Sequence, residues 1–318
     1  MLPRSQILKN SKMQNTNNAT KHGVIFALLA YGIWGLVPIY FKAMSYIRPM
    51  EMVSHRVVWS FILLLILIAA QKNFGKLKVL ILQPKKIFWL FISSVLIATN
   101  WLVFIWAAAE NRLLEASLGY YINPLINVIL GLFFLQERLA RMQWIAVIVA
   151  GIGVFIQLIH FGSVPWVALA LGGTFGFYGL IRKKVKVESI AGLWVETTLL
   201  LPFAATYLLY FAPNIAAPLA HYSGATLIAL IASGFITSVP LLCFAAAAAR
   251  LPLSQLGFFQ YIGPSCMFLL ATFYYNEPLT SDKLVTFIFI WSALILFIWH
   301  GCISYRKNHK PEAKKCKN

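Results

Sequence analysis

The 318 residues are 60% hydrophobic and 11% charged, with a mean hydropathy of +0.76, against roughly 45–50% apolar and 25% charged in an ordinary soluble domain. That balance excludes a water-soluble globular fold. A net charge of +18 would suit nucleic acid, but the Lys and Arg residues sit in short stretches between apolar runs and lack the stacking and groove-reading motifs of a nucleic-acid binder.

In chain order, residues 1–22 are a polar tail, with too long a positive region for a cleaved secretory signal. Ten apolar runs follow, at 23–41, 50–70, 87–110, 114–135, 142–160, 163–181, 190–211, 224–248, 253–275 and 282–303. Each approaches the ~20 residues a helix needs to cross a bilayer, and each is too long for a barrel strand of about ten residues. A basic tail, 304–318, closes the chain. The sequence therefore predicts an all-α integral membrane protein of ten transmembrane helices.

Charge orients these runs, because cytoplasmic loops retain Lys and Arg. If both tails are cytoplasmic, 22 of the 27 Lys and Arg residues fall on the inner side. Lys42, Arg48, Arg112 and Lys283 fall outside, and Arg56 lies within a run. Removing one run would scramble this asymmetry. The expected setting is a bacterial inner membrane, with both termini cytoplasmic.

An internal repeat runs through the chain. Tyr121-Ile122-Asn123-Pro124 recurs as Tyr261-Ile262-Gly263-Pro264, and thirteen residues beyond each Pro stand Glu137 and Glu277. Upstream, Ala107-Ala108-Ala109, Arg112-Leu113 and Leu118-Gly119 match Ala245-Ala246-Ala247, Arg250-Leu251 and Leu256-Gly257. Trp34-Gly35 with Lys42 matches Phe175-Gly176 with Lys183. The expected units are two five-helix repeats, 23–160 and 161–303. Five is odd, so the second copy enters the membrane from the opposite side and the repeats are inverted. The two Tyr-Ile-x-Pro copies should then face each other across a central cavity.

These residues resemble the EamA-type repeats of the drug/metabolite transporter superfamily, and within it the RarD permeases. The likeness rests on Ala30-Tyr31-Gly32-Ile33-Trp34-Gly35, Ser54-His55-Arg56-Val57-Val58-Trp59-Ser60, Asn100-Trp101 with the residues to Trp106, the stretch from Glu115 to Leu125, and Gly257 to Pro264. It runs from about residue 22 to 305. The resemblance implies an inner-membrane transporter, commonly labelled chloramphenicol-sensitive, with a cavity between two bundles.

An ionisable side chain within a span costs roughly 2.5–3.5 kcal/mol on insertion scales, so such groups mark cavities or partners. Arg56 keeps its proton and would attract a carboxylate or another anionic group. His55 and Glu196 can change charge and are the proton-coupling candidates. The repeat offset sets them at equivalent positions. The alternative is that all three snorkel or form structural pairs near helix ends. Tyr120, Tyr121, Asn123, Gln260 and Tyr261 lie beside Pro124 and Pro264, each of which frees a carbonyl on the preceding turn. Trp34, Asn100, Trp101 and Tyr178 could complete an aromatic and amide lining for an amphipathic solute. For any single aromatic, helix packing is the competing explanation. Pro124, Glu137, Pro264 and Glu277 are candidates for a gate or hinge, with capping as the structural alternative for the two acids. Gly172 and Gly176 suit close helix packing.

Other functions lack their signatures. No Gly-rich phosphate loop serves an ATP-driven pump, and no His-Glu-x-x-His serves an intramembrane metalloprotease. The four cysteines and six histidines have no metal-ligand spacing, so neither metal nor cofactor is expected. The predicted function is secondary transport of a small amphipathic metabolite or drug by alternating access. The bilayer and protons are its other expected partners. A non-transporting membrane sensor or assembly protein is the alternative.

Overall fold

The computed structural model describes residues 4–44, 46–109, 113–162, 164–211, 223–274 and 281–308, and among these its regular structure is all helical, without a strand. Glu277 lies outside the described residues. In chain order the helices are α1 (Arg4–Ala43), α2 (Pro49–Ala70), α3 (Phe74–Ile81), α4 (Pro84–Ala109), α5 (Leu113–Leu135), α6 (Arg141–Phe161), α7 (Trp166–Val185), α8 (Ser189–Tyr210), α9 (Gly224–Arg250), α10 (Leu253–Gln260), α11 (Ile262–Leu269) and α12 (Ser281–Asn308). A single π-helical segment, Leu270–Tyr274, follows α11.

By length and composition, seven stretches among the described residues can cross a membrane: Ala19–Ala43, Pro49–Ala70, Pro84–Phe104, Leu118–Leu135, Arg141–His160, Ser189–Tyr210 and Gly224–Arg250. Leu284–Trp299 is a shorter apolar stretch of α12. Phe133, Phe155, Phe203, Ile228, Ile288 and Trp299 stand exposed on the outer surface. An aqueous exterior would reject them, whereas a lipid exterior receives them, and a helix is the element that keeps its backbone bonds within itself there.

Four features differ from the sequence expectations. The first helix begins at Arg4, so much of the polar tail is helical; no Pro interrupts it before Pro38, and the apolar stretch propagates helix backwards. A short helix, α3, occupies what the sequence presented as a loop. Leu77 and Leu80, three apart on one face, are buried against Ile68, Leu90 and Ile181, while Lys76 and Lys78 stay exposed. The ninth run is broken at Tyr261 into α10 and α11, because Pro264 has no N–H for the Gln260 carbonyl. The helix of the sixth run, α7, extends past residue 181 to Val185, which carries Arg182 out of the expected cytoplasmic loop and into the interior at 5% exposure.

Packing is mainly between the first and second halves of the chain. Helix α1 lies on α9 and α11, α2 on α8 and α9, α4 on α7 and α8, α5 on α7 and α10, and α6 on α12. The largest core cluster accordingly mixes both halves, with Tyr31 and Leu64 packed among Tyr178, Phe244 and Leu251. Two close crossings depend on glycine. A Cβ on Gly172 or on Gly176 would come 2.8 Å from Ile126, and one on Gly257 would come 2.8 Å from the Pro124 carbonyl oxygen. These set α5 tightly between α7 and α10.

Candidate functional site

Where α1, α2, α4 and α5 meet α7, α9, α10 and α11 they line a partly open cavity of about 160 Å³. Its walls are aromatic, with Trp34 and Phe41 from α1, Trp101 and Phe104 from α4, and Phe175 from α7. Arg56 enters it from α2. Its Nε donates to Thr237 Oγ1 of α9 at 2.7 Å. Its guanidinium carbon lies 4.8 Å from the Trp101 ring centre and 5.3 Å from that of Phe41. Such stacking suits a delocalised cation. Among the described residues no carboxylate pairs with Arg56.

The polar part of the lining is ordered from behind. Asn127, which is buried and outside the cavity, donates from Nδ2 to Asn123 Oδ1 at 3.2 Å and to Gln260 Oε1 at 2.9 Å. Both recipient carbonyls are thereby occupied, which leaves the NH2 groups of Asn123 and Gln260 for the cavity. Asn100 is fixed the opposite way. Its Nδ2 donates to the Leu171 carbonyl and to Thr174 Oγ1, each at 2.9 Å, which leaves its Oδ1 as an acceptor. Tyr120 also lines the cavity, its ring edge-on to Phe104 with centres 6.3 Å apart.

The two Tyr-Ile-x-Pro copies meet here in contact rather than across the cavity. Tyr261 Oη donates to the Tyr121 carbonyl at 3.3 Å, beside the Gly257–Pro124 crossing. Asn123 and Pro264 reach the cavity, but Tyr121 and Tyr261 do not. Tyr121 packs edge-on against Phe287, and Tyr261 is fully buried beside Phe258. Tyr178 is also outside the lining. It stacks on Phe244 with centres 5.9 Å apart at 19°, directly behind the cavity residue Phe175.

Glu196 belongs to a separate polar cluster. At 1% exposure, its carboxylate accepts from Tyr178 Oη at 3.4 Å, from Arg182 Nη1 at 3.5 Å and, in a close contact, from Ser93 Oγ. Arg182 also donates to the Ser189 carbonyl at 3.3 Å. The group ties α8 to α7 and α4. His55 is buried on α2 outside the cavity, and its Nε2 has no hydrogen-bond partner. Glu137 acts as a cap. Its carboxylate accepts the Leu253 and Ser254 backbone N–H groups at 2.6 and 2.9 Å, and the Ser254 hydroxyl at 2.6 Å, which satisfies the start of α10. Lys183 does the converse for α9, donating to the Ala248 and Leu251 carbonyls.

The sequence reading missed Asn127, Thr237, Ser93 and Arg182 as partners. Asn127 could have been found, since it stands one helical turn after Asn123 on the same face. Thr237 and Ser93 carry no such signal. Among the described residues, no group of three His, Cys, Asp or Glu side chains could hold a metal ion.

Known proteins supply the family. The EamA-like transporter family matches residues 21–159. A protein of Escherichia coli named Protein RarD is 51% identical over 291 residues, covering 92% of this chain and 98% of its own length. The chain belongs to the RarD family. An uncharacterized transporter of Vibrio cholerae is 52% identical, covering 88% of this chain and 93% of its own. A more distant RarD relative, the chloramphenicol-sensitive protein RarD of Pseudomonas aeruginosa, is 28% identical over 90% of this chain and 96% of its own. A solved crystal structure superimposes with a TM-score of 0.67 at 17% identity, covering 88% of this chain and 97% of that one, and so shares the fold. As a RarD-family permease of the drug/metabolite transporter superfamily, the protein is a multi-pass bacterial membrane transporter.

Proposed function

We propose that this RarD-family chain is a secondary transporter that moves a small amphipathic solute by alternating access, with ten spans arranged as two inverted five-helix repeats, 23–160 and 161–303. The observation that carries this reading is the cavity itself, which draws its walls from both halves and holds an arginine without a described acid partner. The helix pairing supports the inverted arrangement. Exchanging the halves converts the α1–α9 contact into α7–α4, α2–α9 into α8–α4 and α1–α11 into α7–α5, while α2–α8, α5–α10 and α6–α12 map onto themselves.

The charge asymmetry supports cytoplasmic termini, so that α7 descends from the outer face to the inner one. Along it Leu171 and Phe175 line the cavity, Tyr178 lies below, and Arg182 lies roughly 10 Å beyond Phe175 at 1.5 Å per residue. In that orientation the cavity belongs to the outer half, and the aromatic cluster with the Glu196–Arg182 group closes the inner half. Transport then consists of parting this inner seal while the outer helices close. Glu196 and His55 are the groups through which protons would drive the cycle. The Tyr-Ile-x-Pro crossing, with Pro124 and Pro264, is its pivot, and Glu137 fixes one end of that pivot.

The test is uptake and counterflow of a metabolite and drug panel, chloramphenicol included, by purified protein in liposomes under imposed pH or voltage gradients. Saturable flux without ATP is expected, accelerated by a pH gradient. Absence of flux for every solute would overturn the transport mechanism. Flux indifferent to the pH gradient would remove His55 and Glu196 as proton carriers.

A further inference from the structure

We infer that the cavity is built for a small, flat organic anion, a single aromatic ring bearing a carboxylate, in preference to a neutral or zwitterionic solute; this rests on the transport reading of the same cavity. The volume sets the size. About 160 Å³ is close to the ~150 Å³ of an apolar cavity that takes one benzene ring. The walls set the shape, since Trp34, Trp101, Phe104 and Phe175 present rings on several sides.

Charge and hydrogen bonding set the class. Arg56 spends Nε on Thr237 and its face on Trp101 and Phe41, while no described group accepts from Nη1 or Nη2. Those two nitrogens form one edge of a planar fork that matches the two oxygens of a carboxylate. Asn127 adds to this by occupying the side-chain carbonyls of Asn123 and Gln260, which leaves the NH2 groups of these two lining residues as donors. Donors therefore exceed acceptors around a fixed positive charge. Among the described lining residues there is no Asp or Glu to neutralise an ammonium group. An unpaired cation in a low-dielectric pocket favours a ligand that brings the missing charge, and a zwitterion would carry a second charge with no counterpart.

The deciding experiment is calorimetric titration of the purified protein in nanodiscs with three matched probes: phenylacetate, its neutral amide phenylacetamide, and phenylglycine, which adds an α-ammonium. Phenylacetate should bind at least about tenfold more tightly than either of the others, within the range a charged hydrogen bond supplies. Arg56→Gln should weaken phenylacetate by about ten- to a hundredfold and phenylacetamide by much less, so that the preference for the acid is lost. Arg56→Lys, which keeps the charge without the fork, should fall between. Unaltered thermal unfolding of both variants checks their fold. Equal affinity for acid and amide, tight binding of phenylglycine, a preference that survives Arg56→Gln, or no binding of any probe would each overturn the inference. The two proposals fail separately. Liposome flux confined to neutral or zwitterionic solutes leaves the transporter standing and removes the anion, whereas phenylacetate binding without flux of any solute does the reverse.

Discussion

Asn127 does not line the cavity, yet two of the three amides that do, Asn123 and Gln260, accept from its carboxamide. The arrangement explains why a polar side chain is held at 1% exposure within a membrane protein, where an isolated amide is costly. Asn127→Leu strips the partner from Asn123 Oδ1 and Gln260 Oε1 and frees both amides to rotate. The expected loss is about 1–2 kcal/mol of stability, the range for polar contacts between membrane helices, read as a lower midpoint of thermal unfolding in detergent. Ligand affinity should weaken along with it. Asn127→Ser, which keeps one donor, should recover part of the affinity, whereas equal affinity in wild type and both variants would end the positioning role. The sequence disclosed this site unevenly. Arg56, read from its intramembrane charge, Tyr120, Asn123 and Gln260, read from the paired prolines, and Trp34, Asn100 and Trp101, read as an aromatic and amide lining, all stand in the cavity wall. Tyr121 and Tyr261 carry the same proline signature and Tyr178 the aromatic one but lie outside that wall, since the direction of a ring depends on which neighbour fills the opposite face.

At the scale of elements, the group proposed as the inner seal is an interlock of three helices about one carboxylate. Glu196 on α8 holds Ser93 of α4 together with Tyr178 and Arg182 of α7. A Cβ at Gly192, one turn before Glu196, would run into the Arg182 guanidinium and push it from its present position. Glu196→Gln leaves the Arg182 charge buried without its counter-ion, and breaking a buried pair from one side costs about 3–5 kcal/mol. The double replacement Arg182→Met with Glu196→Gln removes both charges and should recover most of that loss. Thermal unfolding of the two single variants and the double variant forms the cycle that measures it. Additive single effects would mean that the two groups do not act as a pair. Sequence alone located Glu196 but not its partner. Arg182 stands in a run with Lys183 and Lys184 that resembles an ordinary cytoplasmic loop, and only the extra turn of α7 to Val185 draws it inward. The short helix α3 escaped for a similar reason, because two leucines three residues apart are too brief a period to distinguish from a loop.

For the whole molecule, the exchange symmetry of its helix contacts and the one-sided closure of its cavity make a joint prediction about access. In the proposed orientation Thr237 and Asn100 open to the outer face, while Phe244 and Tyr178 lie behind the seal. Single cysteines at Thr237 and at Phe244, in a background with the four native cysteines replaced, should therefore behave oppositely towards a membrane-impermeant thiol reagent. In right-side-out vesicles without substrate, Cys at position 237 should react and Cys at position 244 should be protected. A transported solute should slow the first reaction. In inside-out vesicles the same solute should expose position 244, because the inner seal can part only when the outer helices have closed. A protein that labels identically from both faces, or whose labelling ignores every transported solute, has a fixed pore or a static binding site in place of two alternating states. The paired contacts argue against that outcome. Since exchanging the proposed halves converts α1–α9 into α7–α4, the packing proposed to close the inner side would have a counterpart to close the outer one. Two such closures of similar energy are what a carrier needs to populate both conformations.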